Sequence, residues 1–134
     1  MAGNPAEPGS ADSKAFLEWL QQERLSVTSP TLLLVEVASA VARGQNDARL
    51  GIEAMQRLQA LPRHTWLPLD RAMAMLAARF GAMYRLRGAD AVYAAVAKRA
   101  GTVLVTADRQ QLERLQGAVP VMSPAEALLT LANP

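Results

Sequence analysis

Cysteine is absent from this sequence, and His64 is its single histidine. The lack of cysteine excludes disulfides, thiolate metal ligands and cysteine nucleophiles, and it fits a reducing cytosol. One histidine argues strongly against a histidine-based zinc site or a Ser-His-Asp triad. No apolar run approaches the roughly 18 residues of a membrane-spanning helix, and the N-terminus lacks a signal-peptide pattern. We therefore expect a cytoplasmic protein with no membrane partner.

Charge is also scarce. Charged residues make up 19% of the 134 residues, less than the usual quarter, and the 14 basic and 12 acidic residues leave a net charge of +2. So small a net charge argues neither for nor against nucleic acid as a partner. An acidic residue inside an apolar segment is therefore the feature that most needs an explanation.

The chain length suits a single domain. Residues 1–10 (MAGNPAEPGS) are rich in proline and glycine and are predicted to form a flexible N-terminal arm, followed by one domain over residues 11–134. Alternating helix and strand patterns predict an α/β fold with a mostly parallel sheet flanked by helices. The predicted helices cover residues 11–25, 30–44, 46–62, 71–88, 89–101, 109–117 and 123–132, and the predicted strands cover 26–30, 64–70, 102–108 and 119–123. Gly101 is predicted to close its helix, and Ser123 with Glu126 to form a capping box at the start of the last one.

Three carboxylates stand out from this pattern. Glu36 lies within the apolar stretch LLLVEVASAVARG, Asp90 begins a predicted helix, and Asp108 follows the strand TVLVT. Each has a simple structural explanation, because Glu36 could reach water from the edge of a buried face and the two aspartates could be helix N-caps. Alternatively, the three converge. Clustered carboxylates remain ionised when a cation lies among them, and oxygen ligands suit Mg²⁺ or Mn²⁺. Thr106 could then hold a water molecule or a carboxylate with its hydroxyl. Spacing alone does not decide between these alternatives.

Four stretches in order resemble the PIN domain, and especially the toxin ribonucleases of the VapC type. They are SPTLLLVEVASAVAR, GADAVYAAVAKRAG, TVLVTADRQQLERL and VPVMSPAEAL, and with the first helix they cover most of the chain from about residue 10. Each motif is short, and it is their common order and spacing that make the resemblance strong. Glu36 matches the acid that the family carries on the helix after its second strand, Asp90 the acid that opens the "DAxYxAxA" helix, and Asp108 the acid of the "TxD" strand end, with Thr106 in the hydroxyl position.

The resemblance implies a three-layer α/β fold and a Mg²⁺- or Mn²⁺-dependent endoribonuclease, a hydrolase that cleaves RNA phosphodiesters. It implies that Glu36, Asp90 and Asp108 are metal ligands and catalytic residues, together with Thr106. It further implies a toxin whose antitoxin protein inserts into the acidic groove, and a homodimer for which the helix AMAMLAARFGAMYR is a plausible interface.

One part of the family pattern is missing. PIN domains normally begin with an apolar central strand that ends in aspartate, whereas no such strand precedes the first predicted helix here, and Asp12 is not a match because it lies at the start of that helix. We expect the N-terminal arm or a partner chain to occupy that place. A second reading is therefore a catalytically inactive PIN-like module that binds protein or RNA. A third, an unrelated nucleotide-binding α/β domain, lacks any glycine-rich phosphate loop to support it.

Overall fold

A computed structural model describes residues 10–132, which form seven helices and four short strands. The predicted arm falls on residues that lie outside this described part, except for Ser10, which begins the first helix instead of ending the arm. The helices are α1 (Ser10–Gln22), α2 (Leu32–Gln45), α3 (Ala48–Gln59), α4 (Arg71–Tyr84), α5 (Gly88–Ala100), α6 (Arg109–Arg114) and α7 (Pro124–Leu131). The strands are β1 (Val27–Pro30), β2 (His64–Leu67), β3 (Leu104–Val105) and β4 (Val121–Met122).

The strands form two separate parallel pairs. β1 pairs with β2, in a register that sets Val27 opposite His64, and β3 pairs with β4, with Leu104 opposite Val121. No strand within residues 10–132 joins the two pairs into one sheet. The predicted α/β class with parallel strands is confirmed.

Helix α5 is the centre of the core. It packs against α4 on one side and contacts both β1 and β3, so it bridges the two strand pairs. Its many alanines lack bulk beyond Cβ and allow this close approach from several directions. One buried cluster joins α5 to α4, and a second joins Ala94 of α5 to Leu115 and Val119. None of the helices described here has the length and hydrophobicity that crossing a membrane would require.

Several predicted boundaries are wrong, and two of the helix ends differ for a local reason. The helix α2 runs past Gly44 and ends where Asn46 adopts a left-handed conformation with φ of 49°. The helix α4 ends at Tyr84 because Arg85 turns the chain with φ of 54°, and Gly88 then belongs to the start of α5. The strand predicted over residues 102–108 pairs through β3 alone. By contrast, the capping box of Ser123 and Glu126 and the helix end at Gly101 are confirmed.

His64 takes part in joining β1 to β2. Its Nε2 lies 2.8 Å from the Oγ of buried Ser29, and its ring stacks on Trp66 at a centroid distance of 4.1 Å. Burial lowers the pKa of His64. The histidine therefore favours its neutral form and is a packing residue of the strand pair.

Candidate acidic site

Asp90 lies in the first turn of α5 and is 8% exposed. The N-cap of this helix is Arg87, so the interpretation of Asp90 as a helix cap is wrong. A carboxylate in the first turn is favoured by the helix dipole. The helix dipole does not explain why the side chain of Asp90 points into the protein. Its contacts with Gln111 and Arg114 of α6 explain this orientation.

The two oxygens of Asp90 have different surroundings. Oδ1 accepts a 3.0 Å hydrogen bond from Nε2 of Gln111. Oδ2 is buried and has no hydrogen-bond partner among the described residues, and the nearest cation, Nη1 of Arg114, is 3.6 Å away. A buried carboxylate oxygen without a hydrogen bond is costly, because desolvation is not compensated. Such an atom is an expected ligand for a cation.

Asp108 is the N-cap of α6, as one of its two interpretations predicted. Its Oδ1 accepts hydrogen bonds from the backbone N–H groups of Gln110 at 2.9 Å and Gln111 at 3.3 Å. Its own backbone N–H donates to Oγ1 of Thr106 at 3.1 Å. The side chain therefore lies at the carboxyl end of β3, where open α/β sheets bind their ligands.

Thr106 and Gln111 connect the turn at Asp108 to Asp90. The Thr106 hydroxyl donates to Oε1 of Gln111 at 2.6 Å, while Nε2 of the same amide donates to Asp90. In a capping box the third helical residue would bond back to the N-cap backbone. Here the backbone N–H of Asp108 donates to Thr106 instead, so the side chain of Gln111 is free to bond to Asp90 of α5. The side-chain amide of Gln111 thus links Asp90 to Thr106, and Thr106 in turn accepts from the backbone N–H of Asp108.

Glu36 approaches the same region from α2. Its Oε1 accepts a short hydrogen bond from the hydroxyl of Tyr93, which lies one helical turn after Asp90. Burial raises the pKa of the Tyr93 hydroxyl most, the hydrogen bond and charge of Glu36 raise it further, and the charge of Asp90 adds to this. Both carboxylates therefore act electrostatically on one phenol. Glu36 is half-buried and does not simply face water.

The three predicted acids share one region without sharing one coordination sphere. Between residues 10 and 132, no three acidic or histidine side chains are placed closely enough to hold one metal ion. The ligand chemistry nevertheless fits a hard divalent ion, since the groups are carboxylates and Oδ2 of Asp90 is buried without a hydrogen bond. Asp90 is the residue to which such an ion fits best.

Sequence reasoning missed three residues of the site: Tyr93, Gln111 and Arg114. Tyr93 follows Asp90 by three residues, a spacing that sets both on one helix face. Gln111 follows Asp108 by three, the capping-box spacing, which favours a local contact over one across helices. Arg114 follows one turn after Gln110, to which its Nη2 donates at 3.2 Å. Helical spacing could have drawn attention to them, but their partners on α2 and α5 depend on the tertiary fold.

Comparisons with known proteins give the chain its context. The PIN domain family matches residues 8–117. A crystal structure of PAE2754 from Pyrobaculum aerophilum is similar in fold, with a TM-score of 0.65 and 23% sequence identity over 92% of this chain and 89% of that one. A search of curated proteins gave no match.

Proposed function

The chain belongs to the PIN domain family, whose members are generally nucleases, and from that premise we propose that it is a Mg²⁺- or Mn²⁺-dependent endoribonuclease. The single observation that carries the proposal is Asp90, a buried carboxylate with one oxygen bound to Gln111 and the other without a hydrogen bond. Its position beside the Asp108 turn and the Glu36–Tyr93 pair supplies two further carboxylates of the kind that the reaction needs.

The residues would act as follows. Asp90 would be the main ligand of the divalent ion, and Glu36 and Asp108, whose side chains are not gathered around one ion in this structure, would complete its coordination by moving toward Asp90. The chemistry that the ion supplies when bound is activation of water and stabilisation of charge on the phosphate. Gln111 orients the Asp90 carboxylate by donating to Oδ1. Tyr93 orients Glu36, and the raised pKa of its hydroxyl keeps the proton on that donor. Thr106 fixes the turn that carries Asp108.

The substrate and partners follow from the same proposal. RNA is the substrate class, and we propose the VapC toxin type, with an antitoxin protein that covers the acidic groove and with the cytoplasm as its location. The support for the toxin type is the motif order SPTLLLVEVASAVAR, GADAVYAAVAKRAG, TVLVTADRQQLERL.

A homodimer through α4 is part of the proposal. Met75 and Met83 of this helix are 53% and 67% exposed, and Leu69 just before it is 49% exposed. An apolar groove of about 270 Å³ lies alongside, lined mostly by alanine and glycine of α4 and α5. Exposed large apolar side chains next to a surface of small residues are typical of a face that packs against another helix.

A second candidate is an inactive PIN-like module that binds RNA or protein. It is favoured by one observation, namely that the Asp90 charge is already compensated by Arg114 at 3.6 Å.

A cleavage assay separates the two candidates. We expect the parent protein to cleave single-stranded RNA with Mn²⁺ or Mg²⁺ and not with EDTA, and Asp90→Asn to lower the rate at least about 100-fold, equal to about 2.7 kcal/mol of barrier. Glu53→Gln is the matched control, since it neutralises an acid that forms a surface pair with Arg57 at 3.8 Å. Cleavage that persists in Asp90→Asn would contradict the assignment, and RNA binding without cleavage by the parent would establish the binding module.

A further inference from the structure

The ion pair between Arg114 and Asp90 is unusual in its geometry. Nη1 of Arg114 lies 3.6 Å from Oδ2 of Asp90, and this oxygen is buried without a hydrogen bond. The guanidinium therefore compensates the carboxylate charge from a distance. A bidentate arginine–carboxylate pair would instead use both oxygens at hydrogen-bond distance.

Arg114 also has a second anchor outside the site. Its Nη2 donates to Oε1 of Gln110 at 3.2 Å, and its side chain is 33% exposed, against 12% for that of Asp90. The arginine can consequently leave Asp90 toward solvent without losing all its contacts. Asp90 has no such freedom, because it lies on the buried helix α5 and is bound by Gln111.

We propose that Arg114 is a built-in competitor of the divalent ion at Asp90. In the metal-free protein its guanidinium neutralises the buried carboxylate, and it must move away before Oδ2 can bind a divalent ion, because two cations beside one oxygen repel each other. The metal affinity of the site is therefore set by Arg114 as well as by the acids. This inference rests on the proposed function, which supplies the ion.

Mn²⁺ titration calorimetry on the parent and three variants tests the competition. Arg114→Gln removes the charge and keeps a polar side chain, Arg114→Lys keeps the charge, and Arg57→Gln removes an arginine from a remote surface pair. We expect Arg114→Gln to bind Mn²⁺ about tenfold more tightly or better, since the guanidinium 3.6 Å from Oδ2 of Asp90 repels a cation at the same oxygen. Arg114→Lys is expected to stay close to the parental affinity, and Arg57→Gln to match the parent.

Thermal unfolding gives a readout independent of activity. Without metal, Arg114→Gln is expected to melt below the parent, because Asp90 has lost its compensating charge. Mn²⁺ should raise the melting temperature of Arg114→Gln more than that of the parent, because the stabilisation by a ligand of the native state rises with the logarithm of its concentration divided by its Kd. If Arg114 were merely structural, its replacement would lower the melting temperature without metal, but Mn²⁺ would not raise it more than in the parent.

The outcomes separate this inference from the proposed function. If the parent binds Mn²⁺ through Asp90 and Arg114→Gln binds no more tightly, the inference is overturned and the function remains. If Arg114→Gln gains affinity that persists in the Arg114→Gln, Asp90→Asn double variant, the gain is not at Asp90 and the inference also fails. If neither the parent nor Arg114→Gln binds Mn²⁺, both the inference and the metal-dependent function are overturned.

Discussion

The helices α2 and α5 each carry one candidate acid, and they differ in how far their apolar residues are buried. α2 is the more apolar by sequence, yet none of its residues, all of which are described, is buried, and Val35 is 61% exposed. α5 is less apolar and buries seven residues, including Asp90. Composition therefore does not indicate which helix forms the core.

The difference follows from the neighbours of each helix. α5 lies against α4 and both strand pairs, so it is covered from several directions, while α2 packs mainly against α3. The consequence for the site is that Asp90 is a fixed, buried anchor and that Glu36 is joined to α5 through the hydroxyl of Tyr93.

The packing of α2 on α3 is expected to fail when Gly51 gains a side chain. A Cβ there would collide with the carbonyl oxygen of Ala38 and lie 2.9 Å from Cβ of Ala42. We expect Gly51→Ala to lower the free energy of unfolding by about 3 kcal/mol, since overpacking forces the backbone to shift. Denaturant unfolding of Gly51→Ala and the parent measures this loss in the free energy of unfolding.

Gly44→Ala is the control for Gly51→Ala, because it lies within α2 with nothing within 4 Å of its added Cβ. It should gain about 0.5–1 kcal/mol from helix propensity alone. Equal effects of the two substitutions would mean that α2 does not depend on close contact with α3.

A matched valine pair compares the two helices directly. Val96 of α5 is 3% exposed and Val35 of α2 is 61% exposed. We expect Val96→Ala to cost about 2 kcal/mol through lost burial and a residual cavity, and Val35→Ala to stay within about 0.5 kcal/mol of the parent. Chemical denaturation of both variants checks the difference. A large loss for Val35→Ala would show that α2 is buried in solution against another surface.

Tyr93→Phe removes the hydrogen bond that joins the two helices. We expect a loss of about 1.5 kcal/mol, within the range for a hydrogen bond to a charged group. The pKa of Tyr93 is raised above its ordinary value of 10.0, so the native state binds its proton more tightly than the unfolded state does. The contribution is complete below about pH 10 and declines as pH rises above it.

Unfolding curves on both sides of pH 10 test the titration. The stability gap between the parent and Tyr93→Phe should narrow in the alkaline range. Tyr84→Phe is the control, because its ring stacks on Phe80 and this contact survives the substitution. A gap that stays constant, or one that widens, would contradict the assigned role of the Glu36 contact.

Much of the fold could be predicted from sequence, and the failures have definable causes. The Ser123 capping box and the Gly101 helix end depend on local chemistry and were predicted correctly. The ends of α2 and α4 were not, because Asn46 and Arg85 adopt left-handed conformations at positions where the sequence offered glycine nearby. Glycine near the end of a helix pattern therefore indicated that α2 and α4 end in that region, but not the residue at which they end.

The candidate site divides in the same way. Glu36, Asp90, Asp108 and Thr106 could be chosen because their motifs occur in a recognisable order. Gln111 and Arg114 could not, because their importance depends on α6 lying beside the first turn of α5. Long-range contacts of this kind leave no periodic pattern in the sequence.

Mn²⁺ calorimetry on the parent, Asp108→Asn and Asp47→Asn tests most directly whether the three acids form a metal site. Both aspartates cap a helix by accepting two backbone N–H groups, and asparagine is an equally good cap, so both variants should keep their helices. We predict that the parent binds Mn²⁺ at up to millimolar concentration, that Asp47→Asn binds equally, and that Asp108→Asn loses binding. Equal binding by all three proteins would mean that Asp108 is a cap alone, and would contradict a metal site built from Glu36, Asp90 and Asp108.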